Sequence, residues 1–427
     1  DEVGPEAAEG MSSGFRLLPE LPTIEVAEAS IAAFSLPQEA FRYVPAPSTI
    51  ITTLASGKQQ RLIYCNIELT ESELEKLQAL RRLAWEQGKS YLPSVAVMAA
   101  RYLSYTHGDV TRALHMMDFA QFWRNTFFGP GPILDADVRE DLSHGIVYIA
   151  GRDHALRPTI VVRLRRVPKA WQNEGSTDRI LRVVVFAMEY MLRFMCIPGK
   201  IENNVILFDL RGVTAITMPI AALKEIHQTM SFQYPGRCYR FFICNLSPVL
   251  NALSSIVQAF LSERQKQKLV FVQDVSELGQ SWALHQLEED LGGSRPMLTS
   301  FFPFPLSPGP FFAGCESGPS TEAVPGMHEA FTQANALGRL WDPSCSREAN
   351  TALCYSDRAA DLFMKCGLPP FKDAVKPSRR KGRPSQTPNG QATVVPPAVQ
   401  EERHARIVAP AEPKVGCFSC LPCLFSK

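Results

Sequence analysis

The chain has 427 residues, 45% of them hydrophobic, and a formal net charge of +1. This length allows two or three domains, and the near-zero charge excludes an overall bias toward nucleic acid, so no nucleic-acid partner is expected. The 11 cysteines are odd in number and not spaced as a disulfide framework, which favours a reducing, cytoplasmic compartment.

The apolar residues of the first segment show little helical or strand periodicity, and helical patterns begin only after it. Residues 1–60 are rich in Ala, Ser, Pro and Glu, and we interpret them as a flexible leader. A capping box opens a helix at Thr70. A second helix stops near Gly108, and Asp109 caps a third whose apolar residues share one face. The pattern predicts a small all-helical lobe over residues 70–128.

From residue 146 onward, the pattern of apolar residues predicts strands and helices in alternation. Residues 146–150 and 159–164 predict two strands joined by a polar turn, and a long helix starts near Asp178. Strands at 204–210, 239–245 and 268–274 then alternate with helices at 220–230 and 249–261. Short, nearly continuous apolar strands separated by helices predict an α/β lobe over residues 140–295, with a mostly parallel sheet covered by helices.

No catalytic constellation accompanies this alternation. The strand ending at Leu210 is not followed by a Gly-rich phosphate turn, and the 8 histidines are scattered without a partner nucleophile. We therefore expect a protein that is not an enzyme and has no metal site and no cofactor.

Three segments together resemble the CRAL-TRIO lipid-binding family, in its yeast phosphatidylinositol transfer protein-like form. They are ARYLSYTHGDVTRALHMMDFAQFWR, GRDHALRPTIVVRL, and the block from NVILFDLRGV through YPGRCYRFFICNLSP to KLVFV, closed by LEEDLGG. The resemblance covers about residues 70–295. It implies a sheet that floors an apolar lipid cavity, with bound lipid as cargo and a mobile gate helix. The gate residues would be Val249, Leu253, Ile256, Val257, Phe260 and Leu261.

The resemblance also implies a lipid head-group site. In phosphatidylinositol-binding members, an acidic residue before one strand and a basic residue after the Tyr-Pro-x-Arg turn handle the head group, and these positions are Glu202 and Arg240 here. Both residues open parallel strands, so they are expected to lie near one sheet edge. An ordinary ion pair between them and a different lipid remain alternatives.

Strand alternation predicts which side chains line the cavity. If Arg240 faces the cavity, Phe242 and Cys244 point to the same side, and Ile206 and Phe208 are candidates on the neighbouring strand. These residues are equally compatible with an ordinary core.

The chain beyond residue 295 changes composition. Residues 296–368 are Pro-rich and predict a segment that wraps the globular part, and residues 369–427 predict a disordered tail. Arg379, Arg380, Lys381 and Arg383 form a basic cluster suited to an anionic membrane, and Cys417, Cys420 and Cys423 are candidates for palmitoylation. Unmodified cysteines and a solvated charge run are the alternatives.

Two functions follow from these features. The first is non-enzymatic binding and exchange of a phosphatidylinositol-type phospholipid, or another hydrophobic ligand, at membrane surfaces. The second is a lipid-sensing regulatory adaptor that is tethered by its tail and does not transfer lipid. No uninterrupted apolar run reaches the roughly 18 residues of a membrane-spanning helix. Exchange at membrane surfaces and a tail suited to membranes both imply peripheral membrane association.

Overall fold

The computed structural model describes residues 14–312, apart from residues 33, 38, 41–42, 66, 68, 174–176, 215–216 and 250–262. The α-helices are α1 (Pro47–Ile50), α2 (Glu71–Glu86), α3 (Pro93–Ala96), α4 (Ala99–Tyr105), α5 (Val110–Phe128), α6 (Asp135–Ser143), α7 (Lys169–Asn173), α8 (Thr177–Phe194), α9 (Ile220–Gln233) and α10 (Glu263–Lys268). The strands are β1 (Arg16–Leu17), β2 (Ile24–Glu25), β3 (Ile51–Thr53), β4 (Gln59–Arg61), β5 (Ser90–Tyr91), β6 (Ile133–Leu134), β7 (Val147–Arg152), β8 (Pro158–Arg163), β9 (Asn204–Asp209), β10 (Cys238–Cys244) and β11 (Leu269–Phe271).

Helices α2 to α5 form the N-terminal lobe. The predicted capping box is present, because the Thr70 hydroxyl accepts from the Glu73 amide and the Glu73 carboxylate accepts from the Thr70 amide. Asp109 caps α5 in the same way through the Arg112 amide. The apolar faces of these helices meet in one core around Leu80, and the only departure from an all-helical lobe in its described residues is the two-residue strand β5.

Five strands form the main sheet, in the order β11-β10-β9-β8-β7. All neighbours run parallel except the β7–β8 hairpin, which is antiparallel. This confirms the predicted α/β fold with a mostly parallel sheet. The pairing places β9 at the centre, with β8 and β10 on either side.

The register of the sheet defines two faces. Leu207 lies opposite Phe242 on β10 and Val161 on β8, so these side chains share one face, which we call the closed face. Trp282 covers it: its ring centroid lies 4.8 Å from that of Phe242, and its indole N–H donates to the Thr159 hydroxyl at 2.8 Å. The next residues along each strand, among them Ile206, Phe241 and Ile160, point to the opposite side, which we call the open face.

The expected flexible leader differs from what the structure shows over residues 14–60. Strand β1 pairs with β5, and β2 pairs with β6. Ile24 and Leu36 are 2% and 1% exposed, and the Thr23 hydroxyl donates to the buried Glu189 carboxylate at 2.8 Å. The physical reason is that isolated buried side chains in short strands and coil leave no periodic signal to detect.

The described part of the Pro-rich segment packs on the core. Phe301, Phe302 and Phe304 are buried, and the rings of Phe301 and Tyr148 lie 4.9 Å apart. Prolines prevent regular structure here, so the aromatic side chains make the contacts. The remainder of the predicted wrapping segment and the whole predicted tail lie outside the described residues.

Candidate functional site

The open face is apolar and only partly covered by the described residues. Ile206 is half-buried, whereas its neighbours Val205 and Leu207 on the closed face are both 0% exposed. A central strand of a parallel sheet is normally buried on both faces, so a half-buried central residue marks a surface that lacks its full cover. The partly buried apolar side chains around it are Val162, Ile206, Leu246, Leu269 and Phe271, beside a buried rim of Leu164, Phe208, Leu210, Val213, Met218, Leu223 and Ile243.

The four predicted cavity residues do not share a face. Ile206 and Phe208 lie on the open face, opposite Phe241 and Ile243. Phe242 and Cys244 lie on the closed face. Burial raises the pKa of the Cys244 thiol to about 12, as expected for a packed thiol. The expectation that all four line one cavity is therefore wrong, because it depended on a register between strands that alternation within each strand does not fix.

The Glu202 carboxylate is fully engaged by groups other than Arg240. It is 1% exposed and pairs with the buried Arg101 guanidinium of α4. It also accepts hydrogen bonds from the backbone amides of Tyr64 at 3.0 Å, Cys65 at 2.8 Å and Gly199 at 2.8 Å. Glu202 thus joins the N-terminal segment and the helical lobe to the start of the sheet, and both of its carboxylate oxygens already accept hydrogen bonds from these groups.

Arg240 lies elsewhere at the beginning of β10. It pairs in register with Val205, three residues beyond Glu202, so its side chain points toward the closed face. It is half-buried, and its guanidinium carbon lies 5.0 Å from the centroid of the Tyr239 ring. The structure does not bring Arg240 together with Glu202 or with the open face.

Two arginines that were not predicted as site residues neighbour Glu202. Besides Arg101, the turn residue Arg237 donates to the Glu202 backbone carbonyl at 3.1 Å. Burial alone would raise the pKa of the Glu202 carboxyl, but the Arg101 and Arg237 charges outweigh it and hold the pKa below its usual value. Arg101 lies on the buried side of its helix, and a charge in that position signals a buried partner.

A second buried carboxylate lies close by at the same junction. Glu189 of α8 pairs with Arg124 of α5 at 3.1 Å and accepts from the Tyr234 hydroxyl at 2.7 Å. Arg124, like Arg101, comes from the helical lobe. Burial opposes ionisation of Glu189, yet the Arg124 charge keeps its pKa below the usual range. We call the group formed by Arg101, Arg124, Glu189, Glu202 and Arg237 the junction cluster.

The carboxyl end of the sheet is fixed by another charged network. Arg163 is 0% exposed and binds Asp209 at 2.8 Å, Glu288 at 2.9 Å and Asp290 at 2.7 Å. The Asn245 amide donates to Asp209 at 2.8 Å just after β10 ends. This network holds the strand ends against the segment that covers the closed face.

Several predicted site residues lie outside the described residues. They are the basic cluster, the three terminal cysteines and, from Leu253 onward, the gate positions. Val249 is described and is 67% exposed. In the described part of the chain, no helix is long and apolar enough to cross a bilayer, and no group of three or more His, Cys, Asp or Glu residues is placed to hold a metal ion.

A helical lobe followed by a mostly parallel sheet makes this an α/β domain, and one face of its sheet is apolar and partly open. The sequence model of the CRAL/TRIO domain matches residues 142–293, which cover most of the sheet domain. Domains of this family bind lipids and other small hydrophobic ligands.

Among solved structures, the crystal structure of Sfh5 is similar with a TM-score of 0.41 and 15% sequence identity, covering 55% of this chain and 91% of its own. No curated protein matches the chain.

Proposed function

We propose that the protein binds a lipid against the open face of the sheet and exchanges it at membrane surfaces, without catalysing a reaction. The observation that carries this proposal is the half-buried Ile206 on the central strand, whose closed-face neighbours Val205 and Leu207 are completely buried. The apolar side chains around Ile206 offer the kind of surface on which hydrophobic ligands are bound.

The main free-energy barrier to moving a lipid through water is the exposure of its acyl chains, and an apolar surface can lower this barrier. A diacyl lipid has about 30 methylenes, and at about 0.8 kcal/mol each its exposure to water costs on the order of 20 kcal/mol. Shielding the acyl chains against the open face removes much of this cost. Binding and release then suffice for exchange, and no chemical step is needed.

A bulky substitution at Ile206 tests the proposal. Ile206→Trp fills the open face, so we expect it to reduce exchange of fluorescent phospholipid between vesicles by at least about tenfold. Phe122→Trp is the matched control, because Phe122 is 57% exposed on the helical lobe. Both variants should melt within a few degrees of the wild type.

Unchanged exchange by a folded Ile206→Trp variant would contradict the open face as the binding surface. Lipid binding by the wild type without exchange would leave the lipid-sensing adaptor as the function.

A phosphatidylinositol-type phospholipid is the first cargo we propose, with Lys268 as the contact for its phosphate in place of Arg240. Lys268 is half-buried and directly precedes Leu269 of the open face. Burial lowers the pKa of His227 on α9, and the Lys268 charge lowers it further, so the two groups interact electrostatically. A cation at the edge of an apolar surface suits a lipid with an anionic head group.

The cargo is tested by comparing lipids. Lys268→Ala should lower exchange of phosphatidylinositol more than exchange of phosphatidylcholine. Lys266→Ala, an exposed position on the same helix, and Arg240→Ala should change neither. Equal loss for both lipids in Lys268→Ala would mean that Lys268 does not select the head group.

A further inference from the structure

A polar cavity of about 60 Å³ lies at the junction between the helical lobe and the sheet domain. It is separate from the open face. Three arginines and three glutamates line it, namely Arg124, Arg193, Arg237, Glu20, Glu189 and Glu202. A single water needs only about 10–15 Å³ of such space, so the cavity has room for a compact ion of several atoms.

The side-chain amide of Gln233 makes no hydrogen bond in this cavity. Gln233 is 4% exposed, it lines the cavity, and neither its amide nitrogen nor its amide oxygen has a partner. The Nε atoms of Arg124 and Arg237, which also line the cavity, are unpaired as well. Buried polar atoms without partners are costly, at about 1–3 kcal/mol each, so four of them around one cavity indicate a binding site for a polar ligand.

The charges around the cavity favour an anion. Glu189 and Glu202 are neutralised by Arg124 and Arg101, and Arg237 and Arg193 add two further cations. Glu20 is the remaining carboxylate. Even with Glu20 ionised, the four guanidinium groups of Arg101, Arg124, Arg193 and Arg237 outnumber the three carboxylates by one.

The pattern of unpaired atoms restricts the anion further. Two guanidinium N–H groups and the Gln233 amide nitrogen need acceptors, while the Gln233 oxygen needs a donor. Exchanging the amide oxygen and nitrogen of Gln233 leaves the same requirement. Phosphate carries a protonated oxygen at neutral pH and satisfies both needs, whereas sulfate has no proton to donate.

We propose that this junction cavity is a binding site for inorganic phosphate, held by Gln233, Arg124 and Arg237. Because Arg124 belongs to the helical lobe and Gln233 and Arg237 belong to the sheet domain, the bound ion would tie the two together. The site is independent of the lipid surface proposed on the open face.

Titration of the full chain with phosphate and with sulfate at equal ionic strength tests the site. We expect phosphate to bind with one ion per chain and to raise the melting temperature in a saturable way, and sulfate to bind at least about tenfold more weakly. Gln233→Leu should abolish the phosphate response. Without phosphate this variant should melt at or above the wild-type temperature, because it removes two unpaired buried polar atoms.

Gln228→Leu is the matched control, since Gln228 is exposed on the same helix, and it should keep the full phosphate response. If Gln233→Leu does not fold, Gln233→Glu serves instead and should lose phosphate through charge repulsion. Equal responses to sulfate and phosphate, no response in the wild type, or a retained response in Gln233→Leu would overturn the proposal. Binding of inositol phosphate without binding of inorganic phosphate would also overturn it, because the site would then belong to a lipid head group.

Discussion

At the scale of single residues, Glu202 shows how a site residue inferred from a resemblance takes a different role in the structure. The sequence places a carboxylate before a central strand, and that position was predicted. Its partners could not be predicted, because Arg101 precedes it by 101 residues and the amides of Tyr64 and Cys65 by 138 and 137. Pairing between residues so far apart in sequence depends on how the lobes pack against each other, so no local sequence pattern predicts it.

Replacing the Glu202 carboxylate should destabilise the protein in a pH-dependent way. Glu202→Gln leaves Arg101, which is 2% exposed, without its counter-charge, and breaking such a buried pair costs about 3–5 kcal/mol. Because the Glu202 pKa lies below its ordinary value of 4.5 in the folded state, its contribution is complete above pH 4.5 and is lost as pH falls through the lower folded pKa. Urea unfolding measured between pH 3 and pH 7 checks this.

The difference between wild type and Glu202→Gln should therefore be largest near neutral pH and shrink in acid. Asp137→Asn is the control, because Asp137 and its partner Arg182 have side chains 45% and 44% exposed, and such surface pairs contribute at most about 1 kcal/mol. A gap that grows on acidification would show that Glu202 is not stabilised as a carboxylate.

At the scale of elements, the strands were predictable and their shared faces were not. Continuous apolar runs located β9 and β10, since strands covered on both sides carry apolar residues at every position. Because nearly every position in β9 and β10 is apolar, no alternation of apolar and polar residues distinguishes one face of the sheet from the other. The register that aligns Leu207 with Phe242, rather than with Phe241, is a property of the assembled sheet, and it separated Phe242 and Cys244 from the open face.

Two adjacent phenylalanines on β10 test this division. Phe242 is 7% exposed beneath Trp282, whereas Phe241 is half-buried on the open face. We expect Phe242→Ala to lower the free energy of unfolding by about 3–5 kcal/mol and Phe241→Ala to cost clearly less. Phe241→Ala should instead weaken lipid binding. Denaturant unfolding and lipid-binding titrations of both variants provide the measurement, and a reversed order of stability would contradict the assignment of faces.

At the scale of the whole molecule, the order of the lobes was predictable and the role of the N-terminal segment was not. Helical caps and periodicity located the helical lobe, and the strand–helix alternation located the sheet domain. The segment before them packs through scattered residues such as Ile24, whose burial depends on β6 and α8 far along the chain. The N-terminal segment therefore has the amino-acid composition of a flexible leader, but its buried residues pack as part of the folded protein.

The packing of the N-terminal segment predicts unequal effects of two leucine substitutions within it. Leu36→Ala should cost about 2–5 kcal/mol, because Leu36 is 1% exposed. Leu18→Ala should change stability by less than about 0.5 kcal/mol, because Leu18 is 38% exposed. Thermal and urea unfolding of both variants measure the difference. Equal, negligible effects are the result that a flexible leader would give.

Native mass spectrometry of the purified full chain is a direct test of lipid binding at the open face. We predict a species heavier than the bare chain by one lipid, which disappears after organic extraction, returns after incubation with phospholipid vesicles, and is depleted in Ile206→Trp. A wild-type chain that carries no lipid, even after incubation with vesicles, would show that the open face does not bind lipid.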